Sequence, residues 1–196
     1  MPIIGSLFKK KLKRMESWII TPTAQKSVCV KFIRTTNMKS TCDISDELHP
    51  NVQYLYPTFK CYGEKNIFSG RIVTIECFED NSLVEEALNT NGKGCVLVID
   101  AGESLKCAML GDKRAADAIK NEWEGIIVNG SIRDSAMINS MPIGIRALGT
   151  CPRKSVKKGI GKRNLNVYFS NVKFTPNHYL YADDDGVIVT ENKVNS

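Results

Sequence analysis

Histidine is almost missing from this chain of 196 residues: His49 and His178 are its two examples. The seven cysteines include no C-x-x-C pair. A zinc site with ordinary ligand spacing is therefore not expected. The cysteine count is odd, and several members lie inside apolar runs, as Cys95 does in "GCVLVID". That pattern reads as reduced thiols in an intracellular, cytoplasmic protein and not as a disulfide framework. No apolar stretch approaches the roughly 20 residues that a membrane helix requires, so no span is expected.

Acidic residues are scarce in one region. Residues 1–42 hold nine Lys and Arg against a single acid, Glu16, a net charge of +8. The remainder holds 18 basic and 20 acidic residues, a net of −2. The overall +6 thus belongs to the head, and the body is not a basic nucleic-acid binder. Residues 1–40 form a basic extension with three open readings. It is a mitochondrial or other organellar targeting segment, a poorly ordered stretch upstream of a start at Met15 or Met38, or a tail for an acidic partner.

From Thr41 the composition becomes that of an ordinary folded domain, 41–196. "STCDISDEL" predicts a helix capped by Asp43 or Ser45. "FSGRIVTIECF" alternates as a strand does. Asp80 caps a helix over "NSLVEEALNTNG", ended by Gly92 or Gly94. "GCVLVIDAG", "GIIVNG" and "IGIRALG" are buried strands by composition. "GDKRAADAIKNEWEG" predicts a helix with Ala115, Ala116, Ile119 and Trp123 on one face. "LNVYFSNVKFT" and "HYLYADDDGVIVT" predict hairpins about Ser170-Asn171 and an Asp-Asp-Gly turn. The expected fold is α/β with a mixed sheet: a parallel βαβ centre extended by antiparallel C-terminal hairpins.

In such units, ligands collect at the carboxyl ends of strands and at helix N-termini. Asp100-Ala101-Gly102, Gly111-Asp112-Lys113-Arg114 and Arg133-Asp134 are each expected at that edge. The first turn of a helix offers open N–H groups to a carboxylate or phosphate. Arg133 adds a forked cation. Asp134 is a hard oxygen donor suited to Mg²⁺ or Mn²⁺ held partly through water. An anchored carboxylate beside a Lewis acid is what retro-aldol cleavage or β-decarboxylation of a 2-oxo acid needs. Each piece alone has a plainer reading. An Arg-Asp dipeptide is usually a solvated pair, Asp112 a helix-start acid, and Lys113 and Arg114 solvated helix residues. "DDDG" at 183–186 is a turn, and "GIGKR" at 159–163 lacks phosphate-loop spacing.

Five ordered segments resemble one family: "FSGRIVTIECFEDNSLVEEAL", "GCVLVIDAGESLKCAMLGD", "NEWEGIIVNGSIRD", "IGIRALGTCPRKSVKKGIG" and "HYLYADDDGVIV". Together they are similar to the RraA-like proteins from about Thr41 to Glu191. That group contains regulators of ribonuclease E activity and metal-dependent 4-hydroxy-4-methyl-2-oxoglutarate aldolases that also decarboxylate oxaloacetate. The resemblance implies a swivelling β/β/α-type domain, a homotrimer or hexamer, and a site between subunits. Asp112, twenty intervening residues and then Arg133-Asp134 reproduce the aldolase pattern. On that resemblance, Asp112 and Arg133 are the catalytic residues. Gly111, Asp112, Lys113, Arg114 and Arg133 contact the 2-oxo acid, and Asp134 holds Mg²⁺ through water. Lys113-Arg114 departs from the usual less charged pair, and an acid from the neighbouring subunit completes the aldolase site. Two functions remain open: a class II pyruvate aldolase and oxaloacetate decarboxylase, or an inhibitor that docks on a ribonuclease through protein contacts.

Overall fold

The computed structural model describes residues 38–195. The basic extension falls almost wholly outside them. Its first described residues lead into helix α1, Thr41–Leu48. Its N-cap is Ser40, whose hydroxyl accepts the Asp43 N–H at 3.1 Å. The cap thus lies upstream of the expected Asp43 or Ser45, because a serine in extended backbone already satisfies the first turn.

The strands follow from apolar runs that must be covered on both faces. These are β1 (Gln53–Tyr54), β2 (Lys60–Tyr62), β3 (Phe68–Glu76), β4 (Cys95–Asp100), β5 (Ala108–Leu110), β6 (Gly125–Ile132), β7 (Gly144–Thr150) and β8 (Lys162–Arg163). After them come β9 (Val167–Phe169), β10 (Val172–Phe174), β11 (Tyr179–Ala182) and β12 (Val187–Thr190). Between them lie α2 (Ser82–Leu88), α3 (Asp112–Lys120) and the single turn α4 (Ser135–Ile138). The main sheet runs β1-β12-β11-β3-β4-β6-β7-β2, with β5 on β6 and β8 on β3. Its centre, β3-β4-β6-β7, is parallel, and β11, β12, β1 and β2 add antiparallel edges. The expected mixed sheet is present.

Period-two alternation divides the core into two layers. Leu97, Ile99, Ile126 and Val128 face Val84 and Leu88 of α2 and Ala115 and Ala118 of α3. Val96, Val98, Ile72 and Ile127 face the small β9-β10 sheet, where Phe169 and Phe174 stack at 4.5 Å. Phe174 is fully buried, which contributes roughly 1.5–3 kcal/mol. The layering is small sheet, large sheet, helices. Ser170 (φ 45°) and Asn171 (φ 68°) make the tight left-handed turn that joins β9 to β10.

Two expected details differ. α2 stops at Leu88, short of Gly92. Gly92 instead lies under the Trp123 ring, where a Cβ would stand 2.2 Å from the indole. On α3 the buried face is Ala115 and Ala118, while Ala116 is exposed and Trp123 lies beyond the helix. Spacing of three residues, not adjacency, sets the buried stripe.

Candidate functional site

β6 is longer than its neighbour. β4 accompanies it through Asn129, and β5 then takes over beside Ser131 and Ile132. This handover places the end of β5 next to the end of β6. The Arg133 N–H donates to the Leu110 carbonyl at 2.9 Å. Gly111, the N-cap of α3, therefore sits directly against Arg133 and Asp134. A Cβ at position 111 would meet Asp134 Oδ2 at 2.7 Å and Arg133 Nε at 3.1 Å. Glycine is required here for close approach, not for backbone conformation, since its φ is −135°.

Asp134 adopts a left-handed conformation, φ 56° and ψ 35°, which aspartate tolerates better than most residues. This turns its carboxylate back toward α3. Oδ2 accepts the Asp112 N–H at 3.4 Å and stands 3.2 Å from Arg133 Nε. Both contacts fall on Oδ2. The Asp112 Oδ1 accepts the Lys113 N–H at 2.7 Å. Two N–H groups at the start of α3 are thus already met by carboxylates, the first through a long, weak bond that an incoming anion can displace.

These residues open on a cleft of about 190 Å³. Gly111, Asp112, Lys113, Arg114 and Arg133 all line it, and Asp134 stands at the rim beside Gly111 and Arg133. The sequence-predicted pieces from α3 and β6 therefore come together. The Asp100-Ala101-Gly102 turn does not join them. Asp100 Oδ1 accepts the Gly102 N–H and the Asn129 amide, and Asp100 and Gly102 line a separate cleft with Phe78 and Ile160. The interposed β5 moves α3 away from the end of β4, and the expected single edge divides in two.

The opposite wall was not anticipated. It consists of Asn81, Glu85, Lys154, Ser155 and Lys157, with Ala108 and Leu110 beneath. The only sequence signal was the basic run "RKSVKK" after β7, which resembles any solvated loop. Buried Asp80 holds this wall in place. Its Oδ2 accepts the N–H groups of Lys158 (2.7 Å) and Ile160 (3.2 Å), and its Oδ1 accepts the N–H and hydroxyl of Ser82. Burial alone pushes the Asp80 carboxyl up. The hydrogen bonds from Ser82, Ile160 and Lys158 outweigh it and hold the pKa at about 2.

The cleft is lined by five cations, Lys113, Arg114, Arg133, Lys154 and Lys157, against the two acids Glu85 and Asp112. Glu85 pairs with both Arg114 and Lys157, and Arg114 also contacts Asp117 at 3.0 Å. The hydrogen bond from Lys157, against the opposing effect of burial, and the contact with Arg114 hold the Glu85 carboxyl below its ordinary range. Arg114 is thus anchored to α2 and lends field more than a free hand, while Arg133 stays about one third exposed. The arrangement suits a small anion. Among the described residues no three His, Cys, Asp or Glu side chains cluster as a metal cage. Asp134, with Oδ1 outside its internal contacts, fits Mg²⁺ or Mn²⁺ bound mainly through water, a mode that needs only one or two carboxylates.

The family model described as RraA-like, Aldolase/RraA, matches residues 41–189. A Dechloromonas aromatica (strain RCB) protein named "Putative 4-hydroxy-4-methyl-2-oxoglutarate aldolase" is 53% identical over 150 residues, covering 76% of this chain and 92% of that one. A crystal structure from Geobacillus kaustophilus HTA426, titled as an S-adenosylmethionine: 2-dimethylmenaquinone methyltransferase, is 45% identical with a TM-score of 0.78, covering 80% of this chain and 97% of that one. The RNA-processing inhibitor RraA of Thermus thermophilis is 36% identical, also with a TM-score of 0.78, covering 81% and 96%. By this match across residues 41–189, nearly all of the folded part, the chain belongs to the RraA-like family.

Proposed function

We propose that this protein is a divalent-metal-dependent lyase that cleaves 4-hydroxy-4-methyl-2-oxoglutarate-type 2-oxo acids to pyruvate and decarboxylates oxaloacetate. The observation that carries the reading is the convergence of Arg133, the N-terminus of α3 and Asp134 on one small cation-rich cleft. Relatives named for this activity are 45–53% identical to the chain.

The start of α3 and Arg133 bind the carboxylate and carbonyl end of the substrate. Asp134 would hold Mg²⁺ or Mn²⁺ through water, and the bound ion would supply positive charge against the negative charge that grows on the substrate's carbonyl oxygen. Asp112, whose Oδ1 is tied to the Lys113 N–H, keeps Oδ2 available to hold a proton at the same rim. The Glu85–Arg114 pair sets the tilt of α3 against α2 and keeps the cleft shaped for an anion before it arrives.

We also assign Phe78, Leu105, Val156 and Ile160, exposed apolar side chains on loops beside the two clefts, to contact with further copies of this chain in a trimer or hexamer. Likeness to the RNA-processing inhibitor supports a second reading, in which the same body docks on a ribonuclease through protein contacts. The acid at 134 favours the lyase. The deciding experiment is turnover of 4-hydroxy-4-methyl-2-oxoglutarate with and without chelator, set beside inhibition of a ribonuclease E-type enzyme by the same preparation.

A further inference from the structure

The start of β3 lies between two covers of the main sheet, at the end opposite to the α3–β6 cleft. Ile44 of α1 packs with Tyr181 and Ile188, and α2 and α3 cover β4 and β6. Between these covers a second cleft of about 300 Å³ stays open. Strand register builds its floor. Arg71 is paired with Tyr179, and Ser69 with Tyr181. Their neighbours Ile72 and Leu180 face the small sheet, so period two turns these four side chains to the helix side. Lys93 and Lys193 form the walls, and both walls are tied down. The Arg71 N–H donates to the Gly94 carbonyl at 2.8 Å, and a Cβ at Gly70 would stand 2.9 Å from that same oxygen. The Thr190 hydroxyl donates to the Asn192 carbonyl and the Val194 N–H to the Tyr181 hydroxyl, both at 2.7 Å, which brings Lys193 to the edge.

Among the described residues no acid lines this cleft. Lys93 keeps a 3.7 Å contact with Glu122 between two well-exposed side chains, a pair of small worth. Arg71 pairs with no described carboxylate and meets the Cys95 thiol at 3.7 Å. Three cations thus gather with little counter-charge, on a body whose net charge is −2. Such self-repulsion is relieved by a bound anion. We propose that this cleft binds a nucleoside diphosphate. Arg71, Lys93 and Lys193 hold the phosphates, the guanidinium as a fork and the ammonium groups as point charges. The Ser69 hydroxyl adds a neutral donor. The base rests on the half-buried ring of Tyr179, since any base can stack on an aromatic face. Charge and size agree with this ligand. A terminal phosphate alone carries roughly −1.5 to −2 near pH 7. The volume lies at the lower end of small-ligand pockets, about 300–1,000 Å³, which suits a mononucleotide and not a dinucleotide. This site shares no residue with the α3–β6 cleft and does not depend on the lyase reading.

The test is calorimetric titration of the full chain with ADP and with inorganic pyrophosphate at low salt. Arg71→Met, Lys193→Met, Tyr179→Leu and Arg133→Ala are measured beside it, each with its Tm recorded. The wild-type protein binds one ADP per chain, more tightly than pyrophosphate. Arg71→Met and Lys193→Met each weaken ADP ~10-fold or more, the usual effect of losing a hydrogen bond to a charged group. Tyr179→Leu weakens ADP and leaves pyrophosphate as it was. ADP binding survives Arg133→Ala, which separates this site from the other cation-rich cleft. Lys193 is exposed, so its replacement reads the site even if Arg71→Met lowers the Tm. Absence of ADP binding, ADP affinity unchanged by Arg71→Met and Lys193→Met, or pyrophosphate held as tightly as ADP would overturn the nucleotide site.

Discussion

The Asp134 carboxylate, at the end of β6, accepts the first N–H of α3, that of Asp112, across 3.4 Å. Strand end and helix start are thereby one structural unit. The same oxygen stands 3.2 Å from Arg133 Nε, so the guanidinium, the carboxylate and the helix terminus share one position.

Gly111→Ala tests that close approach. The added methyl would meet Asp134 Oδ2 at 2.7 Å, and one of the two must move. Overpacking of this kind costs about 1–3 kcal/mol. Because φ at 111 is compatible with alanine, the fold survives with a lowered Tm. Turnover falls ~100-fold or more, as misplacement by about 1 Å commonly does. Steady-state kinetics beside thermal unfolding separates the two effects.

Arg133→Ala removes the forked cation and lowers kcat/KM by ~10²–10³-fold, the scale of a lost donor aimed at developing charge. Arg133→Lys recovers only part of this, because an ammonium lacks the planar fork. Full recovery by lysine would show that charge alone is needed.

The parallel centre was legible from sequence because β4, β6 and β7 are apolar runs with no other way to be covered, and β3 beside them alternates as a strand does. The β9-β10 hairpin was legible from Ser170-Asn171, whose positive φ values a tight turn needs. β5 was not legible. It has three residues, and its partner is the far end of β6, a contact that no local pattern encodes. Missing it made Asp100-Ala101-Gly102 look like a neighbour of Gly111. The α3–β6 half of the site was readable because helix starts and strand ends carry their chemistry in adjacent residues. The Asn81, Ser155 and Lys154 half was not, because it depends on Asp80 holding a loop more than seventy residues away in sequence.

Asp80 makes acid stability a readout of that loop. Its folded pKa of about 2 lies below the ordinary aspartate value of 3.8. A depressed carboxylate contributes stability that is present above the unfolded pKa and lost as pH falls through the folded one. The loss therefore falls between about pH 4 and pH 2 and amounts to roughly 1–2 kcal/mol. Asp80→Asn is less stable at pH 7 and shows a flatter stability profile across that window. Urea unfolding at pH 7, 4 and 3 measures both.

Glu85→Gln removes one of the cleft's two acids and releases Lys157 and Arg114. Oxalate, a small dianion, then inhibits several-fold more tightly, and inhibition weakens more steeply with salt. Unchanged inhibition would place the Glu85 network outside the field that the substrate feels.

The most direct measurement is pyruvate release from 4-hydroxy-4-methyl-2-oxoglutarate and from oxaloacetate, with Mg²⁺ and with EDTA, by the full chain and by Asp134→Ala, beside Mg²⁺ without protein. The account predicts turnover that EDTA abolishes and that Asp134→Ala loses while remaining folded. Turnover no faster than free Mg²⁺, or equal turnover in Asp134→Ala, would contradict it.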